Sequence, residues 1–149
     1  MKLALMLHLL GVVVWVGGMF FAYMALRPAA SRLLEPPQRL PLWSATLSRF
    51  FNWVWLCIVL VLGSGFYMIA VIGDAGTVPI SIHAMLYVGI VMTLIFGYVF
   101  AVMFAALKRA VASGNWKEGG AALNQIRIAV AVNLSLGLLN IVIATAGAM

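Results

Sequence analysis

Two histidines, His8 and His83, are the side chains best suited to chemistry in this chain, and both fall in or at the edge of long apolar segments. An ionisable group in such a segment is expensive, which makes each one a candidate functional residue. Imidazole ligates haem iron, copper and zinc. A ligand or cofactor shared by the two rings outweighs the plainer alternative, that each is only hydrogen-bonded to a neighbouring helix. Haem needs axial nitrogen ligands and a flat apolar slot. His8, Gly11, Trp15, Gly18 and Ala22 recur at steps of three and four, on one helical face. Tyr87, Ile90 and Gly97 follow near the face of His83, with Gly89 close by. This pattern suits a haem between the first and third helices, with His8 and His83 as axial ligands and Gly11, Trp15 and Tyr87 around it. Copper is the competing reading. Met6, Met68 and Met85 join the two histidines at one end of the chain's segments, and thioethers select Cu(I). Met19, Met24 and Met103, with Met92 and Cys57 between them, extend the sulfur donors inward. The same glycines serve close helix packing, and methionine is also an ordinary apolar filler.

Other chemistries lack their residues. The carboxylates are Asp74, Glu35 and Glu118, none of them inside an apolar segment, which removes paired-carboxylate catalysis and a carboxylate proton relay. Neither a phosphate loop nor a nucleophile–histidine motif is present. A single cysteine, Cys57, excludes an intrachain disulfide and reads as a small core hydrophobe.

The elements that must position these residues follow from composition. The chain has 149 residues, 66% hydrophobic and 8% charged, where a soluble domain has about a quarter charged. Four apolar segments, at about 3–26, 52–72, 82–107 and 128–148, are each long enough to cross a bilayer as a helix. The expected fold is an all-α, four-transmembrane-helix bundle in a single membrane domain, 1–149. The first segment is too long for a signal-peptide core and is read as retained. Nine Lys and Arg against three acidic residues do not indicate nucleic acid, because the basic residues concentrate in two connections. Arg27, Arg32, Arg39 and Arg49 mark the first, and Lys108, Arg109, Lys117 and Arg127 the third. Such residues set topology and meet anionic headgroups. They place the first and third connections in the cytoplasm and both termini outside, in the periplasm of a bacterial inner membrane. His8 then lies roughly 8 Å below the outer boundary.

Smaller features complete the expectation. Part of the first connection, with prolines at 28, 36, 37 and 41, suits a short surface helix. Gly114, Gly119 and Gly120 loosen the third connection, and Thr77-Val78-Pro79 opens a helix. Trp43, Trp53, Trp55 and Trp116 suit an aromatic belt, while Trp15 sits mid-span. Asn133 and Asn140 suit interhelical hydrogen bonds. Spans one and three resemble each other, with His8 and His83 in matching places, as a weak internal repeat.

The run from His8 to Gly18 (HLLGVVVWVGG) resembles the first-helix signature of CopD, the copper-resistance-D group. It also resembles HemJ, the haem-containing protoporphyrinogen oxidase, in which a histidine stands seven residues before a tryptophan. Ile82-His83-Ala84-Met85 resembles the HemJ stretch where a lysine follows the histidine by two, with Met85 here in the lysine's place. Gly17-Gly18 is closer to CopD. The resemblance covers nearly the whole chain. It implies a small inner-membrane bundle, with b-type haem and a haem-dependent oxidoreductase or electron-transfer role through HemJ, and copper binding or transport through CopD. A redox role implies a redox partner or a homo-oligomer beside the membrane lipid; a cofactor-free scaffold is the third reading.

Overall fold

The structure is a computed structural model that describes residues 1–73 and 76–147. Asp74, and the end of the fourth apolar segment at 148, lie outside the described residues. Every regular element is helical. Four continuous arms, Lys2–Leu33, Pro36–Ile72, Ile80–Ser113 and Trp116–Ala146, are long and apolar enough to cross a membrane. Large apolar side chains of every arm face outward, Val13, Val59, Leu94 and Val142 among them. Water does not tolerate apolar surface on that scale, whereas lipid requires it. The chain is a multi-pass membrane protein.

The first arm consists of α1 (Lys2–Phe21), a π-helical turn (Ala22–Leu26) and α2 (Arg27–Leu33). Pro28 explains the wide turn. It has no N–H to give the Met24 carbonyl four residues back, and its ring crowds that carbonyl. The amide of Arg27 instead reaches five residues back, to Ala22. The second arm is α3 (Pro36–Ile72), the third is α4 (Ile80–Tyr98), a second π-helical turn (Val99–Phe104) and α5 (Ala105–Ser113), and the fourth is α6 (Trp116–Ala146). Two hairpins of the same layout result, each with a π turn in its first arm.

The helices outrun the apolar segments on the side of the basic connections. With 37 residues, α3 is about 55 Å long against a hydrocarbon core of about 30 Å. The stretch read as a loop with a short surface helix is instead the first four turns of α3. Pro36 and Pro37 suit a first helical turn, where no amide partner is needed. Leu40, Trp43, Leu47, Phe51 and Val54 then keep a buried stripe at helical spacing into the membrane. Trp43 is therefore a core residue and not part of a belt, while Trp53 stays exposed. The same holds for the third connection. Gly114 alone breaks the chain, at φ +70 in the left-handed region, and the side chain of Asn115 caps α6 by accepting from the amide of Glu118. Gly119 does not loosen anything. A Cβ there would stand 3.0 Å from Leu40 and 3.4 Å from Ala110, so the glycine lets α6 approach α3 and α5.

Within each hairpin the register is fixed differently. In the first, Gly11 and Gly18 bring α1 onto α3: a Cβ at Gly11 would lie 2.7 Å from Val61, and one at Gly18 would run into the Phe50 ring. In the second, Asn133 donates to the Met92 carbonyl at 3.1 Å and Asn140 to the Met85 carbonyl at 3.2 Å, two rungs of one antiparallel seam. The bundle centre is aromatic. Phe51 meets Phe96, Phe100 and Phe104 edge-on, and Trp55 meets Phe96 and Phe100.

Candidate functional site

His8 sits on the face of α1 that packs on α3, half-buried. Its Nδ1 lies 3.0 Å from the Val61 carbonyl and 3.0 Å from Ser64 Oγ. A carbonyl only accepts, so Nδ1 carries the ring proton and donates. The Ser64 hydroxyl proton has its own acceptor in the Leu60 carbonyl, leaving the oxygen free to accept from the imidazole. In the neutral ring these partners fix the tautomer, leaving Nε2 unprotonated with its lone pair exposed. A backbone-anchored ring with an open Nε2 is the usual form of a metal-ligating histidine.

Gly65 completes the seat, for a Cβ there would stand 3.6 Å from the His8 ring. Cys57, Val61, Ser64 and Met68 recur along one face of α3, by the same steps of three and four that set His8, Gly11, Trp15 and Gly18 on α1. Soft donors thus flank the histidine along this seam, with Met68 one turn beyond Ser64 and Cys57 two turns before it. Cys57, Met19 and Met92 are all buried in the core. Beside Ser64, a groove of about 320 Å³ opens between Leu3, Leu7, Leu60 and Tyr67 at the same end. Among the described residues no three His, Cys, Asp or Glu side chains converge, and the methionine thioethers are the further soft donors on this seam.

The other expected residues are placed less closely. His83 donates from Nδ1 to the Pro79 carbonyl of its own helix at 3.3 Å, which leaves its Nε2 open too. It stands on the third arm, whose backbone scarcely touches α1; α1 packs on α3, and α4 on α6. The two arms meet mid-membrane through long side chains, Trp15 standing edge-on to Phe96 at 6.5 Å. Among the described residues the two rings share no hydrogen bond; each is held by its own partners. Gly11 and Trp15 are buried as the helical face requires, but Tyr87 turns outward, 66% exposed, and Met6 is 50% exposed. Met85 offers its carbonyl to Asn140.

Sequence reasoning passed over Ser64, although its place in the Cys57–Met68 stripe was readable. It also passed over a cavity of about 650 Å³, which lies at the other end of the bundle. Arg27, Arg32, Arg39 and Arg127 line that cavity, and among the described residues no acidic side chain does. Its walls come from the first, second and fourth arms, a convergence that no local motif announces.

Comparison with known proteins gives a consistent result. No curated protein and no solved structure matches the chain. The family model described as Copper resistance protein D matches residues 44–147, which takes in most of α3 and all of the second hairpin. The His8–Gly18 run lies outside the match, so the assignment is independent of the motif that first suggested it. With four membrane-crossing helices and a match over more than half its length, the chain belongs to the CopD family of copper resistance proteins.

Proposed function

We propose that this protein takes Cu(I) as cargo at the end of the bundle that carries the termini, with His8 Nε2 as the principal ligand. The observation that carries this is the His8 ring, held through Nδ1 on Val61 and Ser64 so that Nε2 is the nitrogen left to bind. Met68 supplies the thioether partner, and the buried Cys57, Met19 and Met92 offer further soft donors toward the bundle centre. The excess of Lys and Arg on the first and third connections orients those connections to the cytoplasm. His8 then faces the periplasm of a bacterial inner membrane, and copper is met from outside. His83 is a secondary ligand at the same end.

A b-type haem shared by His8 and His83 is the competing assignment. It would bridge two arms whose backbones make few close contacts. One preparation separates the two. Protein purified gently from its native membrane is expected to show no Soret band, to retain copper, and to lose it in His8→Ala while remaining helical by circular dichroism. A Soret band that vanishes in both His8→Ala and His83→Ala would replace copper by haem.

A further inference from the structure

Apart from Met19, the cavity at the basic end is not used by the copper reading. Its rim holds four arginines from three arms: Arg27 and Arg32 on α2, Arg39 on α3 and Arg127 on α6. Its floor is apolar, formed by Met19, Leu47, Phe50, Phe51 and Val130. About 650 Å³ is within the range of pockets that enclose small organic ligands.

The arginines differ in what they already do. Arg27 lies over the Tyr23 ring at 4.9 Å and Arg39 reaches the Leu34 carbonyl at 3.4 Å. Both are anchored and still carry full charge toward the cavity. Arg32 and Arg127 have no hydrogen-bonding or carboxylate partner among the described residues. Arg127 is moreover half-buried, three turns into α6. Four like charges around one cavity repel one another, and without a counter-ion the arrangement opposes folding of this end. An anion between them reverses the sign of that contribution. Guanidinium forks match phosphate oxygens in pairs, and the apolar floor matches hydrocarbon.

From this we infer that the cavity binds the phosphate headgroup of an anionic phospholipid of the adjoining leaflet, with acyl chain along the Met19–Phe50–Phe51 floor. The ligand is placed in the membrane, and not among soluble phosphate esters, because the cavity has both a cationic rim and an apolar floor at headgroup level. Basic pockets between membrane helices commonly hold anionic headgroups in this way. The site stands independently of copper binding at the other end.

The test uses full-length, delipidated protein in mild detergent and short-chain phosphatidylglycerol, read by native mass spectrometry. Phosphatidylglycerol is expected to bind at least about tenfold more tightly than phosphatidylcholine of the same chain length. Arg32→Gln with Arg127→Gln is expected to erase that preference, while Arg32→Lys with Arg127→Lys keeps part of it. Arg109→Gln with Lys117→Gln removes two exposed basic charges outside the cavity and is expected to leave the preference intact. An equal loss in that control pair would overturn the site, since any basic surface would then serve. Equal stabilisation by glycerol phosphate or inorganic phosphate would overturn the lipid assignment in favour of a soluble phosphate ester.

Discussion

The two ends of this bundle solve opposite electrostatic problems. At the end carrying the termini, one imidazole is seated between two glycine-packed helices, and its polarity is absorbed by a carbonyl and a hydroxyl. At the basic end, four guanidinium groups surround a cavity with no acidic side chain on its lining among the described residues. The first end is satisfied from within and offers one lone pair to a soft ion. The second depends on an anion from outside. A polar group can therefore be retained in a lipid-phase protein either by internal pairing or by leaving its partner to be supplied by the surroundings.

That contrast can be broken by experiment, and the largest effect belongs to His8. Replacing it by alanine is expected to weaken Cu(I) binding by more than about 100-fold in competition with a colorimetric chelator, because a first ligand matters more than the groups that orient it. Phosphatidylglycerol binding should not change. His83→Ala is expected to have a much smaller effect. If both single variants and the double variant lose affinity equally, the two rings share one ion, and the arms must close together in the bound state.

Ser64→Ala comes next. It removes one of two acceptors for Nδ1 while the Val61 carbonyl remains, so a loss of about tenfold in Cu(I) affinity is expected from the same titration. An unchanged affinity would mean that the carbonyl alone orients the ring. Stability changes follow. Gly18→Ala drives a methyl into the Phe50 ring and is expected to cost about 1–3 kcal/mol, read as a lowered Tm in detergent. Asn133→Leu removes the bond to the Met92 carbonyl but also removes a buried Oδ1 that has no partner. A cost of about 0.6 kcal/mol or less is expected, typical of such bonds between membrane helices.

What could be read from the sequence divides along the same line. The count of four spans, and the stripe His8, Gly11, Trp15 and Gly18, followed from hydropathy and helical spacing, and the structure places that stripe on the packed side of α1. The seating of His8 on α3 did not follow, because spacing orders residues within a helix and says nothing of which neighbour a face meets. For the same reason spacing did not tell that Tyr87 points outward. The 36–51 stretch was misjudged because its arginines and prolines obscured a helical period that only Leu40, Trp43, Leu47 and Phe51 carry. The arginine cavity was out of reach altogether. Each arginine had a sufficient explanation as a topology signal, and only the packed bundle brings Arg127 beside Arg32.

The π turn at Ala22–Leu26 has a consequence for how one helix serves both ends. An extra residue in a turn rotates everything beyond it by roughly 100° about the helix axis. The first arm can therefore aim its glycine-and-histidine stripe at α3 over one half of its length and re-aim its arginines over the other, without a break in the backbone ladder. Pro28 acts as the index stop of that rotation. The direction in which Arg27 and Arg32 point is set by a proline that itself lines the cavity, and shifting that proline by one position would turn those two arginines away from the cavity while leaving the histidine seat in place.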